Sequence, residues 1–89
     1  MRFPDEASDD VIKRLRRAEG QIRGVQRLIE EGADCKDVVN QLTAAQVALH
    51  RAGLRLMAAG MRHCLADPDA AEAEGMDADQ MEKLFLSLR

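Results

Sequence analysis

The sequence predicts an all-α protein: two long antiparallel helices followed by a short third. Three observations lead there. Apolar residues recur at helical spacing along most of the chain, no stretch alternates with period two, and glycine and proline fall where such helices would stop.

Residues 1–8 read as a flexible N-terminus. Ser8 is the expected N-cap of helix 8–31, with Asp9 and Asp10 favourable in the first turn. Val11, Leu15, Ala18, Ile22, Val25 and Ile29 form its apolar stripe, which Ile12 and Leu28 widen to a core-facing breadth. Gly32 stops it as a C′ residue. Gly20 and Gly24 each cost about 1 kcal/mol of helix propensity, which implies close approach by another helix or a ligand. Asp34 opens a second helix, 34–66, which Asp67-Pro68 ends. One of its stripes runs Cys35, Val38, Leu42, Ala45, Leu49, Ala52, Leu56, Ala59. The other runs Val39, Thr43, Gln46, His50, Gly53, Met57, Gly60, Cys64. The first helix can cover one stripe; the other requires a second chain. Residues 67–76 read as an acidic linker, and Asp77 with Gln80 caps a last helix, 77–88, carrying Met81, Leu84, Phe85 and Leu88.

With 89 residues, the span 1–89 reads as one small domain, a size at which a lone core leaves thin stability. Much of the apolar fraction of 46% is alanine, and Phe3 and Phe85 are the sole aromatics, so burial is expected to come from association. The net charge of −3 hides a segregation. Lys13, Arg14, Arg16, Arg17, Arg23 and Arg27 make the first helix basic, Arg51, Arg55 and Arg62 do the same for the second, and the acids crowd at both ends. Such a body suits a polyanion, the plainer alternative being a solvated helix face. No run is apolar enough for a membrane span and no secretion signal is visible, so a cytoplasmic protein with reduced thiols is expected.

Cys35 and Cys64 stand at opposite ends of the second helix. At about 1.5 Å of rise per residue they are roughly 43 Å apart, whereas a disulfide tolerates only about 7 Å between Cα atoms. Two chains packed antiparallel would bring Cys35 of one beside Cys64 of the other. The N-terminus of a helix favours a thiolate at Cys35, and Arg62 and His63 are cationic neighbours of Cys64. The bland alternative is a pair of small buried hydrophobes. No Cys-x-x-Cys or His-x-x-x-His pair exists, so a zinc site is not expected, although two thiolates suit Cu(I). His63 points about 100° away from Cys64 around the helix and His50 lies several turns before it; neither is assigned a role. No phosphate loop or pocketed carboxylate pair suggests an enzyme, and no cofactor is expected.

The stretch RLRRAEGQIRGVQRLIEEGADCKDVVNQLTAAQVALHRAG, with a second cysteine near the end of helix two, resembles the copper-sensitive operon repressors and their nickel, formaldehyde and persulfide-sensing relatives. The likeness covers residues 11–66 and implies a disc-shaped homotetramer, a dimer of antiparallel dimers, that represses transcription on operator DNA. It also implies that Arg14 and Arg51, with Arg17 beside the former, contact the duplex. Copper sensors of the family bind metal through a cysteine opening helix two and a His-x-x-x-Cys on the partner's helix. Cys35 and Cys64 match the cysteines, but the histidine position falls on Gly60. The chain is in this respect similar to the sulfurtransferase-operon repressor branch, in which persulfides or polysulfides link the two cysteines and lift repression. The expectation is therefore a persulfide-sensing repressor. A Cu(I)-sensing repressor is the alternative, and a sulfane-sulfur relay protein the rival of another class.

Overall fold

The computed structural model describes residues 2–88; Met1 and Arg89, the ends of the predicted 1–89 span, lie outside them. Four helices follow in order: α1 (Asp5–Glu30), α2 (Cys35–Ala66), α3 (Pro68–Ala73) and α4 (Ala78–Leu88). No strand occurs among the described residues.

α1 starts one turn earlier than Ser8 predicts. Pro4 precedes it in extended backbone (φ −57°, ψ 147°), and Asp5 and Glu6 place two acids on the positive end of the dipole. Ser8 is inside the helix, its N–H donating to the Pro4 carbonyl at 2.9 Å. The stop at Gly32 is as expected. At φ +71°, its N–H donates to Ile29 and that of Ala33 to Leu28, the paired bonds of a Schellman turn. Asp34 caps α2 by accepting from the Lys36 N–H at 3.0 Å.

α1 and α2 form an antiparallel hairpin with a narrow seam. Its buried positions fall every seventh residue: Val11, Ala18 and Val25 on α1, and Ala45, Ala52 and Ala59 on α2. Small side chains there let the two backbones approach closely. The alternate members of the predicted stripes, Leu15, Ile22, Ile29, Leu42 and Leu49, stay 40–61% exposed. They form an apolar edge that the chain itself does not cover. No neighbour comes within 4 Å of a Cβ built on Gly24, so the close approach expected at that glycine is absent within the chain.

The predicted linker 67–76 is the largest correction. Asp67-Pro68 ends α2 and also starts α3: Asp67 accepts the Ala70 N–H at 3.1 Å, and proline takes the first helical position. A second Schellman turn at Gly75 (φ +79°) then reverses the chain. α4 runs back along α2 until Leu88 packs on Gly53, where a built Cβ would lie 3.1 Å from Leu88 Cδ2. Met57, Cys64, Ala71 and Met81 make the buried cluster beneath, with Met76 and Leu88 against it. Half of the second α2 stripe is thus covered by the chain's own C-terminal segment rather than by a second chain; Val39, Thr43, Gln46 and His50 remain exposed.

The result is a slab of 54 × 24 × 14 Å with a radius of gyration of 16.8 Å, against about 12 Å for a compact chain of this length. No large side chain is completely buried among the described residues. A chain this thin is short of internal burial, which is the physical motive for association.

Candidate functional site

Two sites can be built from this frame. The first is a cleft of about 410 Å³ between α1 and α2, lined by Arg14, Arg17, Gln21, Ala44, Val47, Ala48 and Arg51. Arg14, Arg17 and Gln21 follow the three-and-four spacing that puts residues on one helix face, and Arg51 reaches the same cleft from α2. All three sequence-predicted DNA contacts are therefore brought together. Arg14 Nε lies 3.2 Å from Asp10 Oδ2, and Arg55 Nη1 lies 3.7 Å from the same carboxylate. The Arg14 and Asp10 side chains are 34% and 45% exposed, so this pairing orients Arg14 more than it stabilises the fold. Gln21 Oε1 is enclosed without a hydrogen-bond partner. Sequence reasoning passed over Gln21, although its position one turn after Arg17 carried the signal.

The second site is the pair of thiols. α2 is a continuous helix of 32 residues, so Cys35 and Cys64 are not brought together within the chain. Their surroundings differ. Cys35 is the first residue of α2 and is exposed. Cys64 is 8% exposed, and its Sγ–H donates to the Met76 carbonyl at 3.1 Å. That carbonyl is set by the Gly75 turn, because the Met76 N–H is fixed to Ala71 at 2.8 Å. Gly60, in the histidine position implied by the resemblance, is buried and offers no donor. His50 is exposed. His63 is half-buried. Its Nε2 lies 3.4 Å from Glu74 Oε2 but is not aligned for a hydrogen bond. No group of three or more His, Cys, Asp or Glu side chains converges among the described residues.

The unequal burial sets an order of reaction. Brief treatment of the native protein with a maleimide is expected to modify Cys35 before Cys64, read by peptide mass spectrometry. Unfolding in denaturant should equalise the two. Cys64 labelling first in the native protein would contradict its placement beneath α3 and α4.

No helix among the described residues is long and apolar enough to cross a membrane. Residues 7–87 match the family described as metal-sensitive transcriptional repressor. The copper-sensing transcriptional repressor RicR of Mycobacterium tuberculosis is 39% identical over 86% of this chain and 80% of its own length. The copper-sensing transcriptional repressor CsoR of Bacillus subtilis is 39% identical over 66% of this chain and 58% of its own. The crystal structure of the copper-sensing repressor CsoR with Cu(I) from Geobacillus thermodenitrificans superposes with a TM-score of 0.74 at 33% identity. That match covers 99% of this chain and 88% of the other.

Proposed function

The chain belongs to the metal-sensitive transcriptional repressor family, and from that premise we propose a cytoplasmic repressor governed by two thiols from different protomers. It holds operator DNA at the Arg14–Arg17–Arg51 cleft and releases it when Cys35 of one copy is joined to Cys64 of another. The unbroken α2 carries this reading: its ends are too far apart for one chain to close the pair. An antiparallel homodimer, doubled into a homotetramer, supplies the second copy, and the exposed apolar edge of the hairpin is the surface on which it would form.

Cu(I) is the ligand this reading favours. Thiolates are soft donors suited to that ion, and the matched relatives carry copper-sensing names. The test is fluorescence anisotropy with the promoter upstream of the protein's own gene, titrated anaerobically with Cu(I). Stoichiometric Cu(I) per protomer should release the DNA, and Cys35→Ala and Cys64→Ala should each prevent release. DNA that stays bound with Cu(I) saturating the wild type would reject copper as inducer.

One observation favours a second reading, persulfide sensing. Gly60 removes the third donor, and a sulfur bridge needs only two thiols. Cys35 would attack the outer sulfur of a low-molecular-weight persulfide, expelling its thiol. Cys64 of the partner would then attack Cys35 Sγ, breaking its bond to the outer sulfur and expelling hydrosulfide, which leaves a disulfide between the two chains. The product is a covalent dimer on a non-reducing gel, lost in Cys64→Ala. A relay enzyme, the remaining rival, would turn over persulfide without binding the operator in the same assay.

A further inference from the structure

Between the last turns of α2 and the first turns of α4 lies an apolar chamber of about 230 Å³, lined by Cys64 and also by Met61, Met81, Glu82 and Phe85. Its composition is unusual for so small a chain. The sequence has five methionines, and Met57, Met61, Met76 and Met81 all gather at this one cysteine. Met57 and Met81 share its buried cluster, Met76 packs against that cluster and accepts the thiol hydrogen, and Met61 lines the chamber wall. Met61 and Cys64 are three residues apart on α2, hence on one helix face, and Met81 faces them from α4. One cysteine and two methionines therefore line a common cavity within a single chain. Thiolate and thioether sulfurs select soft monovalent ions such as Cu(I).

We propose that Cys64, Met61 and Met81 form a soft-ion site inside each protomer, one that shares Cys64 with the Cys35–Cys64 pair but is complete without a partner chain. Binding exchanges the thiol proton for the ion, giving a Cys64 sulfur–copper bond and one proton released to solvent, with no change of oxidation state. The Met76 carbonyl loses its 3.1 Å donor in the same step. Glu82 is the carboxylate among the lining residues.

The test uses Cys35→Ala protein, in which pairing across protomers is impossible, and Cu(I) titrated anaerobically against a chromophoric chelator. One Cu(I) per chain is expected, with three sulfurs and no nitrogen or oxygen in the X-ray absorption shell. Adding Met61→Leu and Met81→Leu should weaken binding at least about 10-fold, the scale on which even outer partners of a metal site count. Leucine conserves the packing volume, so circular dichroism should stay unchanged. Absence of a tight ion in Cys35→Ala protein, unweakened binding in the double leucine variant, or nitrogen or oxygen in the shell would overturn the site. No step of the assay involves DNA, so its outcome is independent of the operator reading.

Discussion

Replacing Arg14 and Arg51 together with alanine is expected to remove most of the affinity for the operator while leaving the assembly intact. The two residues line one cleft from different helices, so they are expected to act on one stretch of duplex. Each arginine that reads a guanine edge is worth about 1–3 kcal/mol, and each that meets a phosphate adds about one to the slope of log affinity against log salt. Anisotropy titrations over a salt series therefore separate the roles. A shallower slope by about two marks a pair of phosphate contacts, whereas an unchanged slope with relaxed sequence preference marks base readout. The fold should survive, because Arg51 is exposed and the Arg14–Asp10 pair lies at the surface. Unchanged operator binding in the double variant would show that DNA lies on another face.

The second large effect is on stability. Ala52 is 0% exposed at the middle of the α1–α2 seam, flanked one heptad away on either side by Ala45 and Ala59. A leucine there has no cavity to enter and must push the helices apart, at a cost of about 1–3 kcal/mol. For a chain of this size each kcal/mol moves the unfolding midpoint by about 4–8 °C. Ala52→Leu should accordingly lower Tm by roughly 4–24 °C in calorimetry. Since the seam also forms the arginine cleft, operator affinity should fall with it. A Tm equal to that of the wild type would mean that the backbones are not in close approach at this position.

The long helices were legible because their apolar periodicity is sustained for many turns and their stops are glycine and Asp-Pro. Which half of each stripe would be buried was not. Leu15 and Ala18 look alike in a periodic reading, yet only the alanine enters the seam. Proline was read solely as a terminator, which hid α3, because Pro68 breaks the helix before it and starts the next. Ser8 has the better capping side chain, but Pro4 with two following acids starts α1 first. The arginine cleft was legible from spacing and resemblance together. The burial of Cys64 was not, since it depends on Ala71, Met76 and Met81 being folded back over it by α3 and the Gly75 turn. The methionines of that region read as ordinary apolar positions until α4 folded back over them.

One stiff rod carries Cys35 at its first residue, Cys64 two residues before its last, and Arg51 near its middle. A load applied at the tips of such a lever arrives at the fulcrum region without any relay of side chains. Under the proposed function, a tilt imposed where sulfur is engaged would swing the central guanidinium relative to those on α1. The proposed gripping surface and chemical trigger would then share a single mechanical part.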